Sequence, residues 1–215
     1  MSTPSVFPAD FRLLLASQSP RRRELLAAAG VPFSVVAAAA EEESAGGEPG
    51  AVAERNALAK AKAAVVPAGM GSKVFVLGTD TIVVVDRAIL GKPRDRGEAA
   101  AMLRALSGRA HQVISGVALL RCEGGREAAV EVGHAVTTVR FLPLETAGLE
   151  AYLASGEWQG KAGAYAIQGR AALFVEGIEG EYTNVVGLPL ALLTRLFRRL
   201  GFDLLRGEWV EGGAV

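Results

Sequence analysis

Leu13-Leu14-Leu15-Ala16-Ser17-Gln18-Ser19-Pro20-Arg21-Arg22-Arg23 reads as a strand running straight into a helix. Arg12–Ala16 is an apolar run short enough for a buried strand. Ser19 suits the N-cap and Pro20 the first helical position, where its missing N–H costs nothing. The helix continues through Ala29 and stops at Gly30. Its N-terminus presents unpaired N–H groups and a partial positive charge, a ready site for phosphate. The hydroxyls of Ser17 and Ser19 share that turn with three arginines. Positive side chains there oppose the helix dipole by roughly 0.3–1 kcal/mol each. An anion docking at the turn, gripped by forked guanidinium groups, accounts for the cluster. A solvated basic turn with an ordinary cap is the other reading, and spacing alone leaves both open.

Outward from this joint, elements of both kinds follow. Pro32–Val36 reads as a strand, 37–50 as an acidic loop with Glu41, Glu42, Glu43 and Glu48, and Ala51–Val66 as a helix. Lys73–Leu77 and Thr81–Val85 are β-branched runs joined through Gly78-Thr79-Asp80. Asp95-x-x-Glu98 forms a capping box for a helix over Ala99–Leu106, closed by Ser107-Gly108. His111–Arg121 and Ala128–Phe141 flank Glu123-Gly124-Gly125 as an antiparallel pair. A helix over Glu145–Ala154, a strand over Ala172–Glu176 and a helix over Leu188–Leu200 complete the pattern. No linker or repeat divides the chain. The reading places one domain at 11–205, with short extensions at 1–10 and 206–215. Mixed α/β content with antiparallel pairs excludes a pure Rossmann layout.

The bulk numbers narrow the function. Lys plus Arg and Asp plus Glu number 23 each, so no global basic field exists to hold nucleic acid. A polyanion has to be held locally. The single cysteine, Cys122, rules out an internal disulfide framework and fits a reducing, cytoplasmic setting. No stretch approaches the ~20 apolar residues of a membrane span, and the first ten residues lack a signal-peptide pattern.

Several residues suit phosphate chemistry. Asp80, between Thr79 and Thr81, is placed to ligate Mg²⁺ or activate water, or else to close a turn on its own backbone. The glutamates at 41–43 become relevant if a cation sits between them and a triphosphate. Lys60 and Lys62 lie two apart on a helix, so at most one can aim at that loop. Lys92 is held rigidly between Gly91 and Pro93, and Lys161 and Gln168 are interleaved with glycines. His111 and His134 fall on strands without a metal partner at ligand spacing, and no Walker-type loop is present.

Taken in order, these blocks resemble the Maf-like nucleoside triphosphate pyrophosphatases. The blocks are Leu15 to Leu26, Gly78 to Thr81, Leu90-Gly91-Lys92-Pro93, Met102 to Gly108, Lys161 to Gly169, and Asn184 to Leu190. The resemblance implies an α/β fold: an elongated mixed sheet with flanking helices and two lobes around a nucleotide cleft. It implies water attack on the α-phosphate of a nucleoside triphosphate, releasing the monophosphate and pyrophosphate. It also implies a divalent cation, Mg²⁺ or Mn²⁺, and a homodimer. On this likeness Asp80 and Lys92 are catalytic, and Asp80 and Glu42 hold the metal. Ser17, Ser19, Arg21, Arg22, Lys62, Thr81, Lys161 and Gln168 contact substrate. Arg21, Thr81 and Gln168 match the branch similar to dTTP/UTP pyrophosphatases. The sequence departs from the pattern at Glu41 and Glu43, and at Trp158-Gln159-Gly160 before Lys161. A nucleotide-binding regulator of septum formation and an inosine/xanthosine triphosphate pyrophosphatase are the competing expectations.

Overall fold

The computed structural model describes residues 6–41, 47–67, 70 and 73–210. In chain order, β1 (Leu13–Leu15) leads into α1 (Pro20–Ala28), and β2 (Ser34–Val35) into α2 (Pro49–Lys62). β3 (Lys73–Val85) turns back as β4 (Ala88–Leu90), followed by α3 (Arg96–Leu106). The long hairpin β5 (Ala110–Glu123) and β6 (Arg126–Phe141) precedes α4 (Thr146–Ser155). Two 3₁₀ turns lead to β7 (Val175–Glu179), then come α5 (Tyr182–Val186) and α6 (Leu190–Arg199). A small hairpin of β8 (Phe202–Asp203) and β9 (Glu208–Trp209) closes the described chain.

Seven strands make one mixed sheet in the order β2-β1-β3-β5-β6-β7, with β4 also on β3. β1 runs parallel to β2 and β3, and the other pairings are antiparallel. The expected mixed sheet with flanking helices is therefore the fold. Alternation along β3 sorts its side chains between two faces. Val74, Val76, Ile82 and Val84 meet α2 through Ala53, Ala57 and Ala61. On the opposite face, Phe75 and Leu77 join the α6 core. Val83 and Val85 join a second core with α3, α4 and Tyr165. Thr79, Thr81 and Ser115 lie between those two cores and make a polar seam.

Several expectations change in physical detail. Lys73–Val85 is one strand, so Asp80 sits in its middle and does not close a turn. Glycine at 78 is what this requires, because a Cβ there would lie 2.1 Å from the Ala57 carbonyl oxygen of α2. α2 ends at Lys62, short of Val66, since Pro67 disfavours helical backbone before it. Arg170–Leu173 is a 3₁₀ turn, and the strand expected at Ala172–Glu176 begins only at Val175. α6 starts at Leu190, after Pro189, where Thr183 Oγ1 accepts the Leu190 N–H. α5 and the β8–β9 hairpin were not anticipated. Packing also runs past 11–205: Phe7 stacks on Phe202, and Trp209 stacks on Phe75.

Candidate active site

β3 is paired with β5 from Lys73 to Val84 along one edge. On its other edge β1 covers Phe75 to Leu77, and β4 covers Val83 to Val85. Among the described residues, no strand covers Gly78 to Ile82 between them. The β1–α1 joint leaves the sheet at one end of this gap, and Gly91-Lys92 leaves β4 at the other. A cleft of about 410 Å³ opens there.

Asp80 is the floor of the cleft, only 4% exposed. It faces α2, which is pressed onto the sheet at Gly78 and also at Gly116, where a Cβ would meet the Ala53 carbonyl oxygen at 2.1 Å. This close approach brings one face of α2 down onto the carboxylate. Asn56 Nδ2 donates to Asp80 Oδ2 at 2.8 Å, and Lys60 Nζ, one turn on, pairs with Oδ1 at 2.6 Å.

The wall is the turn before α1. Ser17 Oγ accepts the Ser19 N–H at 3.3 Å, so Ser19 takes the N-cap position without a side-chain cap of its own. Arg22 is buried beneath the turn. It donates from Nη1 to Ser17 Oγ at 2.9 Å, from Nη2 to Thr81 Oγ1 at 3.2 Å, and from Nε to the Gly187 carbonyl at 2.9 Å. Thr81 in turn shares a hydrogen bond with Ser115, whose hydroxyl reaches the Asn184 carbonyl. Arg21 points into the cleft and donates from Nε to the Val186 carbonyl at 3.3 Å. Burial pulls its pKa down, against the pull of Glu24.

Across the cleft, Lys161 donates to the Gln159 carbonyl at 3.0 Å. Burial lowers its pKa first and the charge of Arg21 second, while Glu157 opposes both. Each of these is a cation with part of its hydration removed, a setting that suits an anionic ligand. Lys92 and Gln168 complete the rim, and Val83, Val113, Ile167, Val185 and Val186 line an apolar end. Among the described lining residues, Arg21, Arg22, Lys60, Lys92 and Lys161 face one carboxylate, Asp80. A chain with no net charge thus concentrates positive charge in one place.

Nine expected site residues meet here: Ser17, Ser19, Arg21, Arg22, Asp80, Thr81, Lys92, Lys161 and Gln168. Lys62 does not. It is exposed, and Lys60 holds the place expected of it. Arg23 is exposed and also outside the cleft lining. Glu42 lies outside the described residues. Of the two lysines weighed in the sequence it is Lys60 that enters the cleft, and Asn56 joins it without a signal of its own in the motifs, although the helical period of Ala53, Asn56, Ala57, Lys60 and Ala61 puts them on one face.

A cation-lined cleft with a carboxylate floor, opened in the edge of a mixed sheet, marks an α/β protein whose site suits phosphorylated ligands. The chain belongs to the Maf-like protein family, whose model matches residues 12–200. A relative from Pelotomaculum thermopropionicum named dTTP/UTP pyrophosphatase is 47% identical over 90% of this chain and 98% of its own. One of the same name from Moorella thermoacetica is 49% identical over 90% and 97%. A looser likeness joins the chain to a solved HAM1 protein from Coxiella burnetii, with a TM-score of 0.39 and 20% identity over 61% of this chain and 73% of that one.

Proposed function

We propose that this protein hydrolyses dTTP and UTP to the monophosphate and pyrophosphate. The observation that carries the reading is the placement of the Asp80 carboxylate at the floor of a cleft walled by Arg21, Arg22, Lys60, Lys92 and Lys161. The names of relatives 47–49% identical over nearly the whole chain support the same substrates. The triphosphate lies against the turn at Ser17–Arg22, and the base occupies the apolar end beneath Gln168. Asp80 takes the proton from a water in line with the α-phosphorus. The arginines and lysines neutralise charge developing on the departing pyrophosphate. Gln168 offers both a donor and an acceptor to a pyrimidine edge.

A divalent cation, Mg²⁺ or Mn²⁺, fits these residues. Each Asp80 oxygen that accepts from α2 keeps acceptor capacity, and such ions bind through one or two carboxylates plus substrate phosphates. Asp80 and Glu42 are the residues that would hold it. The ion would add charge neutralisation at the phosphate oxygens. The family resemblance also supports a homodimer, and the lone cysteine, buried on β5, suits a cytoplasmic setting. No helix among the described residues is long and apolar enough to cross a membrane.

Asp80→Asn should lower kcat for dTTP by about 10²–10⁴, the usual worth of general-base assistance, while calorimetry still detects nucleotide binding. Turnover within a few-fold of wild type would remove Asp80 from the chemistry. Pyrophosphate release from a panel of dTTP, UTP, GTP and ITP fixes the base preference. Release from none of them would favour a binding role, and release from ITP alone would favour the inosine/xanthosine reading.

A further inference from the structure

Gln168 lies on neither an α-helix nor a strand, yet a side-chain amide can discriminate bases only if its backbone is held still. The two peptide N–H groups on either side of it, at 166 and 170, are held by α4 and by the turn that follows it. The Ala166 N–H donates to Tyr152 Oη at 3.3 Å. The Arg170 N–H donates to Glu157 Oε2 at 2.8 Å. Between them the Gly169 N–H closes onto the Ala166 carbonyl at 3.0 Å. The result is a short arch with Gln168 at its crown.

Glu157 is itself fixed. Gly156 ends α4 in the left-handed conformation, and Trp158 Nε1 donates back to the Leu153 carbonyl at 3.0 Å. The carboxylate also occupies the place of a side chain at 169, where a Cβ would lie 2.1 Å from Glu157 Oε2. Glu157 does not line the cleft. Its charge also acts on Lys161, but its hydrogen-bonded link toward Gln168 runs through the arch. A carboxylate accepting a peptide N–H makes the stronger, charge-assisted kind of hydrogen bond.

We propose that Glu157 is a positioning residue for base selectivity, fixing through the Arg170 peptide the arch that aims Gln168 at the pyrimidine. This rests on the proposed function, in which Gln168 reads the base. Glutamine at 157 retains an acceptor oxygen and alanine does not, so the two substitutions separate the hydrogen bond from the charge.

The test is the ratio of kcat/KM for dTTP to that for GTP. Glu157→Ala should lower the ratio about 10-fold, mostly through KM for dTTP, whereas Glu157→Gln stays within about 3-fold of wild type. Gln168→Ala should lower the ratio as well, and adding Glu157→Ala to it should lower it little further, as expected of coupled residues. Gly169→Ala, which displaces the carboxylate without removing it, should repeat the alanine result and serves if Glu157→Ala does not fold. An unchanged ratio in Glu157→Ala, or an equal loss for both nucleotides, would overturn the positioning role while Gln168→Ala still lowers the ratio. An unchanged ratio in Gln168→Ala would instead overturn the base-reading role on which the inference stands.

Discussion

Lys60 and Lys62 differ by two positions and by everything that matters to the site. Lys60 is largely buried and paired with Asp80 at 2.6 Å, and Lys62 is exposed. Removing one partner of a buried charge pair strands the other. Lys60→Met should therefore lower kcat by about 10²-fold, the scale on which a preorganised electrostatic contact acts. Lys62→Met should stay within about 2-fold, as expected of a solvated surface charge. Steady-state dTTP hydrolysis by the two variants checks this, and equal effects would sink the assignment. Residues of the Ser17–Arg22 turn were legible in the sequence because a phosphate site at a helix N-terminus is local. The choice between the two lysines was not, because which side of α2 faces Asp80 is set by Gly78 and Gly116. Those glycines lie on strands distant from the helix in sequence, and their effect shows only once the helix has packed.

At the scale of elements, α2 and β3 work as one part. The helix carries Asn56 and Lys60, the strand carries Asp80, and backbone contact holds the two in register. Gly78→Ala inserts a methyl where 2.1 Å separates its Cβ from the Ala57 oxygen. Overpacking of this kind costs about 3 kcal/mol or more when backbone is the obstacle. Urea unfolding should show that loss, with activity falling further than stability because the helix is lifted off Asp80. A variant of wild-type stability and rate would mean that α2 is free to give way. Long periodic elements such as the β5–β6 hairpin and α3 were legible from pattern and caps. In α3, Asp95 does accept the Glu98 N–H at 2.8 Å. The short elements escaped, because tertiary bonds define them. Glu157 caps the 3₁₀ turn ahead of β7 from 13 positions away in the chain. Asn184 secures α5 by donating to the Val113 carbonyl and to Thr137 Oγ1.

The molecule as a whole has two apolar cores on one side of its sheet, and His111 is a polar guest in one of them. Its Nε2 meets Tyr165 Oη at 2.8 Å, and its Nδ1 has no hydrogen-bond partner among the described residues. Burial pushes its pKa from 6.5 down to about 4. In the unfolded chain it regains its ordinary value. As pH falls from about 6.5 to about 4, the unfolded chain takes up a proton that the folded protein refuses, so stability declines through that window and levels off below it. The decline is on the order of 3 kcal/mol. Chemical unfolding at pH 7, 6 and 5 should show it, and His111→Gln should flatten the slope. An unaltered slope in the variant would place the acid sensitivity elsewhere.

The gap in the edge of β3 has a consequence for how such a cleft can change. Leu13 and Leu15 belong to the core with α6, and Leu14 to the core with α2. A slip of β1 by one residue would exchange those faces, so the strand is locked in place. The reach from the Ser17 turn to Asp80 is therefore counted in peptide units, at about 3.3 Å each, and not adjusted by side-chain choice. A descendant of this chain that needed a longer or shorter reach would have to gain or lose residues in pairs along β1, or rebuild both cores at once.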